Sequence, residues 1–348
     1  MQQIPIQNIY YLLCYAWDKL DESDIVDVKA IGTTELIDLF AKILINCTSR
    51  LLKRGLDRDY IENEYIINGV KGKLDLSASV KKNTFPSNKT ICQYDEFDYD
   101  ILHNQILKMT ISKLLRAKNL DKELKDELHR LFIKMPPISE IQIRNSHFKQ
   151  VRLHRNNYNY EFVLKVCQII NENLFIDESS GKYKFKDFLQ EEKAMARLFE
   201  SFVRNFYKIE QSEFLVKKEN IKWKLVSEKE TDLLMLPIMP TDISLISSSR
   251  KIIIDTKYYK EAFKARYSQS QDKINSNHLY QLFSYLMNQE SNIETTKNCE
   301  GILLYPAVGG DFRFSYTYEN HRIRVLSINL DQDWFNIKRD LLEIISGE

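Results

Sequence analysis

Apolar positions recur every three to four residues through TTELIDLFAKILINCTSRLLKR (33–54), which predicts a helix with Thr33 or Thr34 as its cap. The same spacing predicts a helix in IYYLLCYAW with Asn8 as its cap, and further helices at about 98–118, 121–134 and 159–174, the second halted by Pro136-Pro137. Between the first helices, residues 57–95 turn to alternation (YIENEYIING), interrupted by a Gly69-x-x-Gly72 turn flanked by Lys71 and Lys73, which predicts a β-rich insertion. GKYKFKDF reads as a linker or short strand. Beyond it the helix EEKAMARLFESFVRNFY (191–207) opens a second half with strands at 222–226, 240–247, 251–259 and 301–305 and a helix at 276–288. The class is therefore α/β: an N-terminal α+β domain, 1–185, followed by a mixed-sheet domain flanked by helices, 186–348.

One stretch of the second half is chemically odd. In PTDISLISSSRKIIIDTKYYK, two β-branched runs flank a polar loop, Ser247 to Arg250, as in a hairpin. Antiparallel pairing about that loop sets Ile246 against Lys251 and Asp242 against Asp255. Side chains alternate along a strand, so Ile253, Asp255, Lys257 and Tyr259 share one face, with Ile252, Ile254 and Thr256 on the other. Like charges opposed on a sheet repel, and burying either carboxylate unpaired costs more. A hard cation held by Asp242 and Asp255 relieves both. The same pattern also fits a surface hairpin closed by a salt bridge between Lys257 and an aspartate.

Composition narrows the class without deciding it. The chain has 348 residues, 43% hydrophobic and 28% charged, which suits two ordinary globular domains and excludes disordered and fibrous proteins. Net charge is +1, so nucleic-acid binding has to come from local patches, one being the run from Arg250 to Lys273 that includes Lys260. The five cysteines are scattered, without a CxxC pair, which points to a reducing compartment and away from a zinc site. MQQIPIQNIYYLLCYAW has no basic leader region and too short an apolar run to span a bilayer, so a cytoplasmic protein with no membrane contact is expected.

Asp-x(12)-Asp-x-Lys on a hairpin resembles the signature of the PD-(D/E)xK nuclease superfamily. That resemblance implies Mg²⁺ on Asp242 and Asp255, with Lys257 stabilising charge on a phosphate under attack. Gln281 and Tyr285, four apart on the following helix with His278 three residues earlier, resemble the Q-x-x-x-Y pair of the RecB-like branch, which stands beside the active site and contacts DNA. Their alternative is an ordinary amphipathic helix. Glu200 stands where the superfamily's first-helix acid often stands, as a further ligand or as a solvated residue on a helix whose phenylalanines pack inward.

IPIQNIYYLLCYAW, RGLDRDY, INGVKGKLDL, PTDI…IIDTKYYK and HLYQLFSYL together resemble the McrC family, nuclease subunits of the McrBC modification-dependent restriction systems. The likeness runs nearly end to end. It implies a Mg²⁺-dependent endonuclease that cuts double-stranded DNA, directed at modified cytosine, and works with an AAA+ GTPase ring of the McrB type whose hydrolysis its N-terminal half stimulates. The chain has no GxxxxGK[ST] loop, so GTP is expected on the partner. Ring contact is expected at Lys71 and Lys73, unless the insertion is a solvated hairpin. A stand-alone nuclease or nickase, a repair exonuclease and a non-catalytic activator are the competing functions.

Overall fold

The computed structural model describes residues 4–20, 35–177, 183–186, 189, 191–258, 273–290 and 294–346. The chain divides into two compact units, one of Glu35–Lys186 and one joining Met1–Thr34 to Asp187–Glu348. The break after Lys186 lies beside the division at 185 expected from sequence, but residues 1–34, expected in the first half, group with the second.

That helix, Ile6–Ala16, starts from Pro5 and not from an Asn8 cap. Proline has no N–H to leave unpaired, so a helix can begin beside it without a side-chain cap. Asn8, freed from capping, is buried and donates from Nδ2 to the carbonyls of Leu330 and Gln332, both at 2.8 Å. At the other end, Asn205 donates to the carbonyls of Tyr15 and Ala16 at 3.0 and 3.1 Å. Tyr15 also packs its ring on Phe202, Phe206 and Trp334. The helix is thus held by its polar ends and its apolar face to the helices Glu192–Glu210 and Trp334–Ser346.

The centre of this unit is a six-stranded mixed sheet. Its strands run edge to edge as Arg313–Tyr318, His321–Asn329, Glu300–Ala307, Lys251–Thr256, Ile243–Ile246 and Leu215–Lys217. Lys251–Thr256 pairs in parallel with Glu300–Ala307, which pairs in parallel with His321–Asn329; the remaining neighbours are antiparallel. Central strands covered on both faces need no polar alternation. Ile252, Ile253 and Ile254 accordingly have no exposure at all. Ser276–Gln289 covers one face, where Leu282 and Leu286 meet Ile253, Leu303 and Val325. Gly301 permits that approach, since a Cβ there would stand 2.9 Å from Leu286 Cδ1.

The strand expected at 222–226 is irregular; the pairing lies just before it, Asn220–Ile221 with Met239–Pro240. The strand expected to reach 259 ends at Thr256, and Tyr259 lies outside the described residues.

In the Glu35–Lys186 unit the helices Leu36–Arg54, Leu102–Leu115, Lys122–Lys134 and Tyr160–Asn173 accompany a three-stranded antiparallel sheet. Its long pair, Asp59–Asn68 with Lys89–Asp98, is joined through Gly69 and Gly72, both at positive φ. A Cβ on Gly72 would lie 2.5 Å from the Gln93 carbonyl, so only glycine fits. A short helix, Leu76–Lys81, capped by Asp75, interrupts the expected β-rich stretch. The Thr33 and Thr34 caps lie outside the described residues, and Leu36–Arg54 begins after Glu35.

Asn8 gives a direct test of how the N-terminal helix is held. Asn8→Ala should lower unfolding stability by about 1–3 kcal/mol, because it strands carbonyls at Leu330 and Gln332. Asn8→Asp should cost more by setting a carboxylate against them. Urea titrations of both variants decide it, and equal stability of Asn8→Asp and wild type would remove the assigned role.

Candidate active site

The hairpin forms in the register its loop dictates. Ser247 N–H donates to the Arg250 carbonyl at 2.9 Å, Ile246 pairs with Lys251 and Ile243 with Ile254. The ladder ends there, and Asp242, the next residue, reaches Thr256 with its carboxylate. The isoleucine run carries Asp255 into the core with zero exposure, while Asp242 is partly buried.

Two acids at the end of a dry strand are costly when charged. Burial first, and then the charge of Asp242, push the Asp255 carboxyl up to about 7, with Lys257 pulling the other way. Asp242 is raised too, by burial and next by the charge of Glu200. It is held against that by Thr256, whose backbone N–H and hydroxyl donate to Asp242 Oδ2 at 2.8 and 3.0 Å. Asp255 has no such donors. Lys257 Nζ lies 2.6 Å from its Oδ2 as an ion pair, yet neither carboxylate oxygen has an aligned hydrogen bond among the described residues.

Unmet oxygens on a buried acid beside a second acid fit a hard divalent cation. Asp242 and Asp255 are the residues to hold it. Among the described residues no group of three or more His, Cys, Asp or Glu is placed to hold a metal ion. Two carboxylates suit Mg²⁺, which keeps several of its waters.

Lys257 is fixed from a second side. Its Nζ donates to Gln281 Oε1 at 2.8 Å, Gln281 Nε2 donates to the Tyr285 hydroxyl at 2.6 Å, and that hydroxyl donates to the Pro240 carbonyl at 2.8 Å. A closed chain therefore runs from the lysine, through one helix face, back to the strand that precedes Asp242. Tyr285 is buried and holds Pro240, while Gln281 is exposed and holds Lys257.

His278, on the same helix, lies 2.7 Å from the Tyr305 hydroxyl, and burial, then the charge of Lys257, push it down to about 4. Glu200 faces the carboxylates closely enough to raise both, but its own oxygen is paired with Arg204 at 2.8 Å and with Lys218. Lys260 and most of the basic run from Arg250 to Lys273 lie outside the described residues. In the other unit, Lys73 is exposed, and Lys71 is 3.6 Å from Glu96 and 3.9 Å over the Tyr94 ring.

Sequence reasoning missed Thr256, which strict alternation sets on the face away from Asp255. Asp242 precedes its strand, so its carboxylate reaches across the strand end to the Thr256 backbone. A hydroxyl residue between Asp255 and Lys257 was the available signal.

Residues 7–306 match the family model described as McrBC 5-methylcytosine restriction system component. The type IV methyl-directed restriction enzyme EcoKMcrBC of Escherichia coli K12 is 33% identical over 341 residues, spanning 98% of this chain and 97% of that protein. A solved half-complex from a tetradecameric assembly of Thermococcus gammatolerans McrB AAA+ hexamers with bound McrC shares the fold. There the TM-score is 0.58 at 18% identity, over 98% of this chain and 76% of that one. A mixed sheet carrying a carboxylate–lysine cluster is thus, by family, part of a restriction system. The chain belongs to the McrBC restriction-component family.

Asp255 makes stability depend on pH in a defined direction. Its folded value of about 7 lies above the ordinary 3.8, so the folded protein binds more protons between those values than the unfolded chain does. Without divalent ions, stability should therefore fall as pH rises from about 4 to 7, by on the order of 4 kcal/mol, and then level off. Asp255→Asn should flatten that slope and melt higher than wild type at pH 8. Thermal melts in EDTA across this range test it, and parallel curves for the two proteins would contradict the assignment.

Proposed function

We propose that this chain is the DNA-cutting subunit of a GTP-dependent restriction complex directed at modified cytosine. The observation that carries the reading is Asp255: fully buried, raised, with unmet oxygens, beside Asp242 and under Lys257. Mg²⁺ bound by the two aspartates would supply a neutralised scissile phosphate and a water of lowered pKa.

The chain's own residues do the rest. Thr256 fixes Asp242 through its two donated hydrogen bonds. An ammonium has three N–H donors. Asp255 and Gln281 take up two contacts of Lys257, which leaves a donor for a non-bridging phosphate oxygen as negative charge grows there. Gln281, braced by Tyr285 and Pro240, keeps the lysine from swinging out to solvent. Glu200, with Arg204 and Lys218, adds a charged rim that raises the cost of leaving the aspartates without a cation.

The partner in this reading is an AAA+ GTPase ring. Its supports are the family described as a McrBC component and the fold shared with a half-complex in which McrC is bound to McrB hexamers. The absence of a GxxxxGK[ST] loop from the sequence assigns GTP to the ring. Ring contact belongs to the Asp59–Asp98 hairpin region around Lys71 and Lys73. A reducing cytoplasm suits five cysteines that are all buried and free, and no helix among the described residues is long and apolar enough to cross a membrane.

The test is cleavage of modified double-stranded DNA by the purified complex with GTP and Mg²⁺. Asp255→Ala should abolish cutting while the ring's GTP turnover is still stimulated. Lys257→Ala should cut about a hundredfold more slowly, roughly 3 kcal/mol of transition-state stabilisation, with Mg²⁺ affinity by calorimetry preserved. Cutting by Asp255→Ala at the wild-type rate would move the active site elsewhere.

A further inference from the structure

The Glu35–Lys186 unit carries a basic surface that the nuclease chemistry does not use. Residues 141–160 contain Arg144, Lys149, Arg152 and Arg155 and no Asp or Glu, in a chain whose net charge is only +1. All four cations are exposed, and none is ion-paired among the described residues. Elsewhere in this unit Lys42, Lys82 and Lys165 are each within 3.4 Å of a glutamate.

Lys149 lies on the short helix Asn145–Gln150, which Arg144 precedes, and the loop that follows, bearing Arg152 and Arg155, is shaped from beneath. His154 N–H donates to Asn157 Oδ1 at 2.7 Å, and Asn157 N–H returns to the His154 carbonyl at 3.1 Å. Asn157, 3% exposed, then donates from Nδ2 to Asp57 Oδ2 at 2.9 Å. Asp57 is anchored in turn: His103 Nε2 lies 3.0 Å from its carboxylate, and its N–H donates to the Tyr160 hydroxyl at 3.0 Å. That hydroxyl donates to buried Asn104 at 2.7 Å. The backbone that carries Arg152 and Arg155 is ordered before anything binds it, so binding has only the side chains themselves left to order.

We propose that this face binds the sugar–phosphate backbone of double-stranded DNA without reading its sequence. Unpaired arginines and a lysine interleaved with Ser146, Gln150 and Asn156 match the donors that contact phosphates. A protein partner would call for an apolar centre ringed by polar residues. The segment's large exposed apolar group is Tyr158 alone, so a polyanion is the better fit. The choice of DNA rests on the nuclease reading; the binding itself does not depend on cleavage.

The full-length chain carrying Asp255→Asn, in EDTA, is titrated against a fluorescein-labelled duplex of about 30 base pairs from about 50 to 200 mM salt. Four phosphate contacts predict a contribution of about −3.6 to the slope of log affinity on log salt. Changing Arg144, Lys149, Arg152 and Arg155 together to Gln should remove that contribution and weaken binding about a hundredfold or more at the low-salt end. Arg152→Gln and Arg155→Gln alone should each reduce the slope by about one, while Arg152→Lys retains it. These single variants decide the matter if the fourfold variant melts below wild type. Unchanged affinity and slope in folded variants would overturn the proposal. So would normal DNA binding with lost stimulation of the ring's GTPase, which would make this a protein interface. A wild-type chain that shows the salt-dependent binding and never cuts DNA in the complex would refute the nuclease reading and leave this proposal standing.

Discussion

The unit that carries the candidate site is organised around the repulsion between two carboxylates at the dry end of a strand. Asp255 cannot be solvated where it is, and Asp242 keeps it from ionising at the usual pH. The neighbouring features answer that one constraint. Thr256 supplies donors to the acid that can accept them, Lys257 brings the opposite charge, and the Gln281–Tyr285–Pro240 chain keeps that charge in place. The helix bearing Gln281 can approach because Gly301 clears its path. A fold that merely maximised stability would replace the pair with apolar residues. In the proposed function, so unfavourable an arrangement is a place prepared for a cation and a phosphate.

Local rules made much of this legible. A four-residue polar loop between β-branched runs sets the hairpin register, and helical spacing sets Gln281 and Tyr285 on one face. What could not be read were properties of distant partners. Asn8 looks like a cap because Asn caps helices, yet Pro5 begins this one, and the side chain answers to carbonyls more than three hundred residues away. The strands Arg313–Tyr318 and His321–Asn329 complete the sheet, although their alternation does not stand out from that of the surrounding sequence. Glu200 shows the same limit: periodicity gives its helix face, while its pairing with Lys218 depends on a strand edge formed elsewhere in the unit.

The Glu35–Lys186 unit solves a different problem. Its long hairpin is exposed on much of its surface, and its root is fixed by a buried polar cluster of Asp57, His103, Asn104, Asn157 and Tyr160. Burial drives His103 toward the neutral form, and Asp57, 3.0 Å from its Nε2, opposes that drive. A buried polar network rigidifies the segments it joins. It dictates where the chain leaves the helices and enters the hairpin.

The N-terminal helix has a consequence in time as well as in space. Its partners, Asn205, Trp334 and the carbonyls of Leu330 and Gln332, all follow the whole of the Glu35–Lys186 unit in the chain. That unit is continuous in sequence and can fold while the ribosome is still at work, since domains fold as units as they emerge. The sheet with its two aspartates closes only after the strands around residue 325 and the helix behind them have been made. A chain arrested partway through synthesis thus carries a finished insertion, while the hairpin that bears Asp242 and Asp255 still lacks the strand and helix that complete its unit.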